Sequence, residues 1–402
     1  MSVFSEYKQE IMDAAHNDRV RLALSRAILS YRANVNEALK RFPHTIEMAK
    51  EVREIKKRSI SEMEKLAAQA CESIEYNKGK AYIAKTVKDC LDIVDKLVGS
   101  SKLIVKSKSM TSEEIDLRDH LERQGNEVYE TDLGEFIIQK LHSRPMHILS
   151  PAVHVPKEDV AKLFSEITGE KIPADIATLV GTARKLLREK FILAEVGISG
   201  SNVVAADTGT LFVIENEGNA RLATGLPPIH IAIVGMEKLV PTLHDAYKVA
   251  EVTWRYANYT VPGYVSLISS PSKTGDIEKV TTYGAHGPKE LHVIFLDAGR
   301  TQLAKNPILS QAMYCLRCGG CLYECPVFAL TAGHFGDKYF TANGAVWAAT
   351  LSGNPEKAAA VAYTCLTCRR CKVRCPVEID GPAMTVEVRR LVTEGKQTEA
   401  GS

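Results

Sequence analysis

The residues with the clearest chemistry are cysteines, and their spacing says more than their number. Cys315, Cys318, Cys321 and Cys325 are followed by Pro326, and the same pattern returns as Cys365, Cys368, Cys371 and Cys375 followed by Pro376. Only Cys71 and Cys90, of the ten cysteines, lie outside these two runs. A [4Fe–4S] cubane presents four irons, each needing one thiolate. Three cysteines at three-residue intervals wrap one corner of the cube, and so tight a loop cannot also supply the fourth ligand. In two-cluster ferredoxins the last cysteine of each run serves the other cluster. That rule assigns Cys315, Cys318, Cys321 and Cys375 to one cluster, and Cys365, Cys368, Cys371 and Cys325 to the second. Zinc fits the pattern less well, because its sites usually show two separated Cys-x-x-Cys pairs. Disulfides would call for an oxidising compartment and would not demand a repeated spacing. The reading is two [4Fe–4S] clusters, and with them electron transfer.

A second kind of chemistry is suggested by three polar patches in the middle of the chain. Lys106-Ser107-Lys108-Ser109-Met110 lies between an apolar run and a helix-like segment, a place that offers ammonium, hydroxyl and free N–H groups to an anion. Gly197–Asn202 is followed by Asp207-Thr208-Gly209-Thr210 and by Glu215–Arg221, and Ser269–Asp276 forms the third patch. Each is also what ordinary turns and caps look like. If they converge, Lys106, Lys108, Asp207, Glu217, Asn219, Arg221 and Lys273 form one pocket at a sheet edge, suited to a small carboxylate or phosphate-bearing ligand. No Gly-x-Gly-x-x-Gly occurs, so a dinucleotide fingerprint is absent.

These groups must be held by elements. Residues from about 10 to 98 read as helices, with Leu22, Leu24, Ile28, Leu29, Tyr31, Val35 and Leu39 at helical spacing and Phe42-Pro43 as a break. The basic run Lys50–Arg58 is interleaved with Glu51 and Glu54 and reads as a solvated helix face. From about 99 to 300 short apolar runs alternate with amphipathic segments. Leu103–Val105, Glu127–Glu130, His147–Leu149, Leu211–Ile214, Ile229–Val234 and Leu291–Leu296 read as strands. Thr111-x-x-Glu114 reads as a capping box opening a helix through Leu121. The expected class is therefore α/β with a mostly parallel sheet, whose ligands bind beyond the carboxyl ends of the strands. Residues 301–395 read as helices around the cysteine loops. Ser352-Gly353 breaks Ala345–Leu351, Asn354-Pro355 opens the next helix, another follows Pro382, and the tail is without predicted order. The division expected is a helical region to 98, an α/β domain over 99–300 and a helical ferredoxin domain over 301–395.

The order Lys106–Met110, Glu130–Glu135, Asn216–Asn219, Pro227–His230 and His286–His292, ahead of the cysteine runs, resembles the LUD-domain iron–sulfur proteins of lactate utilisation. The resemblance runs from about residue 20 to 380. It implies a LUD domain of the isomerase-like and CoA-transferase-like fold joined to a helical ferredoxin. It also implies a place in a cytoplasmic assembly that oxidises L-lactate or a related 2-hydroxy acid. Its partners would be a cysteine-rich subunit with CCG repeats and a second LUD protein or a flavin dehydrogenase. The alternatives are a LUD domain that is itself catalytic through Glu195, Asp207 and Glu217, in acyl-transfer or isomerase-type chemistry, and a docking scaffold in a heterodisulfide-reductase-like complex.

Composition agrees with a globular chain of two or three domains: 402 residues, 45% hydrophobic and 25% charged. A net charge of +2 argues against a dedicated nucleic-acid partner. No apolar run approaches the ~20 residues a transmembrane helix needs, and the first residues lack the pattern of a secretory signal. The expected location is the cytoplasm.

Overall fold

A computed structural model describes residues 3–351 and 353–395. Ser352, half of the expected helix break, and the tail beyond 395 lie outside the described residues. The strands are β1 (Lys80–Ala84), β2 (Leu103–Lys106), β3 (Glu127–Glu130), β4 (Val196–Ser199), β5 (Val203–Ala205), β6 (Thr210–Glu215), β7 (Ile229–Gly235), β8 (Leu239–Val240), β9 (Tyr264–Ile268), β10 (Lys273–Thr274), β11 (Thr282–Tyr283) and β12 (Glu290–Leu296). Six of them form a sheet in the order β1-β12-β7-β4-β2-β3, with every pairing parallel.

Parallel strands are covered on both faces, which is why β7 and β12 are apolar almost throughout. Their side chains still alternate. Ile231, Ile233, Ile294 and Leu296 meet the helices Val87–Val98 and Leu117–Arg123 through Cys90, Val94, Leu117 and Leu121. Ala232, Val234, Val293 and Phe295 point the other way, into the largest core. That core is continuous with a second sheet, β8-β5-β6-β9, and with the helices around the cysteines. In the second sheet β6 is antiparallel to both neighbours. Leu211–Ile214 is thus a strand as expected, in a different sheet.

Three local expectations are corrected. The stretch to 98 is not helical throughout: β1 lies on the edge of the parallel sheet, paired with β12. Its exposure does not alternate and only Ala84 is buried, which is why Lys80–Ala84 gives a weak strand signal. His147–Leu149 is not a strand; the backbone turns there, and the Leu149 and Ser150 N–H groups both donate to His147 Nδ1. The helix start is set by Ser109, whose hydroxyl accepts from Ser112 N–H, two residues ahead of the expected cap. That helix ends at Glu114, because Asp116 is left-handed (φ 48°) before the next begins at Leu117.

The N-terminal helices join the two ends of the molecule. His44–Ser61 packs against the helix Leu243–Tyr256 and against Leu309–Tyr314 just ahead of the first cysteine run. Arg32 forks onto Glu324 at 2.9 and 2.8 Å, and Arg53 donates to the Val377 and Glu378 carbonyls. No described helix is long and apolar enough to cross a membrane.

Candidate iron–sulfur centre and adjoining crevice

The two cysteine runs fold alike because they repeat a backbone as well as a sequence. Arg317 and Thr367, two residues into each run, are left-handed (φ 61° and 51°), and so are Gly319 and Arg369 (φ 75° and 66°). A short helix follows each, Gly320–Glu324 and Arg370–Arg374, and ends at Cys325 and Cys375. The prolines behind them disfavour helical geometry at those cysteines. Left-handed conformations at three non-glycine residues are costly and persist only where the surroundings fix them. In such a loop the chain curls around its own thiols, and Arg317 N–H points at Cys315 Sγ, 3.4 Å away.

The thiols gather in two sets, each drawn from both runs. Cys315, Cys318 and Cys321 share a cavity with Cys375 and Cys371, closed by Ile148, Leu322, Phe340, Val377 and Met384. Burial pushes the Cys375 thiol up, and the neighbouring charges of Cys318 and Cys315 add to the rise. For Cys325, burial lifts the thiol to about 11, and the neighbours that raise it further are Cys365 and Cys368. Burial likewise holds Cys318 and Cys371 at about 12. Thiolates in so dry a site need cationic metal beside them, so the donor set fits iron–sulfur clusters. Among the described residues no three Cys, His, Asp or Glu side chains converge on one point as a single-ion site requires. A cubane asks for something else, since each sulfur binds a different iron.

The two sets differ in exposure. The first run is enclosed, with Leu316 and Leu322 buried. In the second, Cys368 is exposed, and Leu366 and Val373 are 62% and 87% exposed, among Arg369, Arg370, Lys372 and Arg374.

Beneath the first run lies a buried charge network that ties it to the sheet. Glu237, just past β7, is paired with Arg300 and lies 3.4 Å from Arg317. Arg300 also reaches Glu114 at 2.6 Å, and Tyr339 donates to Glu114 and accepts from Arg317 at 3.1 Å. Trp347 stacks on Tyr339 and lies under both guanidinium groups. Burial alone would raise the Glu237 carboxyl, but Arg300, Lys238 and Arg317 together hold it at about 2. Lys56 donates to the Glu237 carbonyl, and burial lowers its ammonium to about 7. The run Lys50–Arg58 is therefore not a wholly solvated face. The signal was present: Ala49, Val52, Lys56, Ser59 and Ile60 fall on one helical stripe, and all are buried. The partners Glu237, Arg300 and Tyr339 carry no motif, and Glu114, read as part of a capping box, is instead bonded to Arg300 and Tyr339. Arg317 could have been singled out as a charged residue inside a cluster loop.

A crevice opens beside this network. It lies beyond the carboxyl ends of β2 and β4, lined by Ser107–Thr111 and Gly200–Asn202. From β2 the chain goes outward to β3 and then returns to β4 on the other side, so this is the sheet's switch point, where α/β sheets bind ligands. Of the seven residues expected to share a pocket, the structure brings Lys108, Glu217 and Asn219 here. Lys106 is completely buried instead, bonded to Glu113 and Glu130 at 2.9 Å each, so it is no anion clamp. Asp207 lies elsewhere and accepts from Leu243 N–H at a helix start. Arg221 stacks on Tyr264. Lys273 sits in the β10–β11 ribbon, whose Ser272 N–H bonds Pro288 O at the amino-terminal end of β12. The physical reason is topological: Lys108 follows β2 and Glu217 follows β6 at the crevice, whereas Asp207 lies in the β5–β6 turn at the opposite end of β6 and Lys273 belongs to a ribbon. Glu195 precedes β4 and is paired with Lys102 at 2.7 Å. Of the three carboxylates of the catalytic alternative, only Glu217 faces the crevice. It accepts from Leu133 N–H, and burial in the crevice wall, reinforced by Asp132, raises it to about 7 although its edge is open to solvent.

Lys106 has a consequence for stability. Burial pushes the Glu130 carboxyl up to about 8, Lys106 pulls it down, and Glu113 and Glu135 push it up again. The folded value lies above the ordinary 4.5, so its contribution is complete below that pH and is lost as pH rises through about 8. One proton corresponds to about 1.4 kcal/mol per pH unit. Denaturant titrations at several pH values should show native stability falling faster than that of Glu130→Gln, by up to that slope, between about pH 5 and 8. Parallel curves would place the proton elsewhere.

Comparison with known proteins matches the two halves of this geometry. Residues 67–296 match the LUD domain family, and residues 311–379 match the 4Fe-4S dicluster domain. Lactate utilization protein B of Shouchella clausii is 35% identical over 350 residues, covering 86% of this chain and 72% of its own. The proteins of that name from Bacillus licheniformis and Bacillus subtilis are 33% and 32% identical, each with 80% of its length covered. A solved DUF162 family protein from Deinococcus radiodurans aligns with 58% of this chain at 14% identity and a TM-score of 0.31, too low to bear on the fold. With an all-parallel sheet, paired cysteine loops and relatives that similar over most of their length, the chain belongs to the lactate utilization protein B family of LUD-domain iron–sulfur proteins.

Proposed function

We propose that this chain is the electron-transfer subunit of a cytoplasmic complex that oxidises L-lactate or a related 2-hydroxy acid to the 2-oxo acid. Cys315, Cys318, Cys321 and Cys375 would hold one [4Fe–4S] cluster, and Cys365, Cys368, Cys371 and Cys325 the other. The observation that carries this reading is that Cys375 lines the cavity of the first run and feels the charges of Cys318 and Cys315, while Cys325 and Cys371 feel those of Cys365 and Cys368. The substrate rests on the relatives' name alone.

When bound, each cubane supplies a one-electron relay, whereas oxidation of a 2-hydroxy acid releases two electrons, so a flavin or another metal centre on a partner must take the pair. The expected partners are a CCG-repeat subunit and a second LUD protein or flavin dehydrogenase. This chain's residues divide the work. Ile148, Leu322, Phe340 and Met384 exclude water from the inner site. The outer loop offers Leu366, Val373 and four basic side chains to a redox partner. Mixing the iron-loaded protein with L-lactate should leave its visible absorbance unchanged until partner subunits are added, when it should bleach. Turnover by this chain alone would overturn the reading.

A further inference from the structure

The crevice at the switch point shares a wall with the cysteine cavity, since Arg317 and Ile148 line both. Its lining is polarised. Lys108, Lys238 and Arg317 contribute three cations, and Lys238 and Arg317 lie close enough to Cys315 to feel its charge. Asp132, Glu215 and Glu217 contribute carboxylates. Two of these are occupied: Asp132 caps Glu135 N–H, and Glu215 accepts from Ala220 and Arg221 N–H at 2.7 Å each. Glu217 has one oxygen engaged, by Leu133 N–H at 3.3 Å.

Two of the cations keep N–H groups without a hydrogen bond. Arg317 is only 8% exposed, and two of its three guanidinium nitrogens have no hydrogen-bond partner. The buried Lys108 Nζ makes no hydrogen bond, although it is ion-paired with the buried Glu135 at 3.6 Å. Buried cationic N–H groups left without hydrogen bonds are costly and ask for an explanation. An anion in the crevice supplies one. The cavity of about 230 Å³ is below the range typical of drug-sized ligands, so the anion is small. A phosphate dianion would meet the carboxylates of the far wall. A monocarboxylate with a neutral hydroxyl at its other end would not.

We propose that this crevice is a binding site for a small hydroxylated monocarboxylate, its carboxylate held by Lys108, Lys238 and Arg317 and its hydroxyl donating to Glu217. The site stands on these side chains, and rests on the cluster reading only for its electrical consequence. A negative charge beside the Cys315 loop opposes reduction there, so the carboxylate lowers the potential of the inner centre. By linkage, reduction weakens carboxylate binding by the same factor. A tenfold difference corresponds to about 59 mV for one electron.

Glycolate, propionate and inorganic phosphate, titrated calorimetrically into the iron-loaded full chain, test the site. Glycolate should bind at least tenfold tighter than propionate and phosphate. Lys108→Met should weaken glycolate at least tenfold with iron content unchanged, and Glu217→Gln should narrow the preference for glycolate over propionate. A redox titration followed by electron paramagnetic resonance should show one of two signals moving to lower potential with glycolate. Absent glycolate binding, equal binding by Lys108→Met, or tighter phosphate binding would each overturn the site. Glycolate binding through Lys108 with no shift of either signal would support the crevice and overturn its coupling to the inner centre.

Discussion

Replacing Cys375 with alanine should remove one cluster and leave the other, so that iron falls from about eight to about four atoms per chain. The cluster lost should be the one held by the first run, although the substitution lies in the second. The reason is geometric, because Cys375 lines the cavity of Cys315, Cys318 and Cys321. Cys325→Ala should do the converse, and the surviving clusters of the two variants should give different spectra. Cys71→Ala is the control: it lies on the helix Met63–Tyr76, away from both runs, and should leave iron unchanged. If Cys375→Ala instead spared the first-run cluster, each run would serve its own cluster, and the shared cavity would have another meaning.

The second large effect concerns Glu237. Arg300 is fully buried and, among the described residues, is ion-paired with Glu237 and Glu114 alone, and Arg317 depends on Glu237 as well. Glu237→Gln keeps the shape and removes the charge, leaving two guanidinium groups under-compensated. Removing one partner of a buried ion pair typically costs about 3–5 kcal/mol. Denaturant unfolding of the iron-loaded variant should show a loss of that order, whereas Glu47→Gln on the exposed face of the helix His44–Ser61 should stay within about 0.5 kcal/mol. A loss below about 1 kcal/mol would mean that the network does not hold the cluster loop to the sheet.

What could be read in advance follows from how far each signal extends along the chain. The cysteine runs are local repeats, and chemistry fixes their spacing. β7 and β12 are continuous apolar runs because parallel strands are buried on both faces. β1 and β9 lie at sheet edges and are mostly exposed or half-buried without alternation, and β8, β10 and β11 span two residues each, too short for periodicity to register. The crevice was half legible. Lys108, Glu217 and Asn219 sit in polar patches that do meet, but polar density did not distinguish them from Asp207 and Lys273, whose elements lead elsewhere. Lys238 was missed because it looks ordinary in sequence; Arg317 offered a signal, a charge between two cysteines, but its role shows only when its hydrogen bonds can be counted. The same holds for Lys106. It stands in the motif of an anion site, and only its distances to Glu113 and Glu130 show that protein carboxylates already satisfy it.

The central claim is that both cysteine sets hold redox-active cubanes in one chain. Reductive titration of the anaerobically purified protein, with iron and acid-labile sulfide measured on the same sample, tests it most directly. The account predicts about eight irons, about eight sulfides and about two electrons taken up per chain. Four irons with one electron, or zinc in place of iron and no electron uptake, would contradict it.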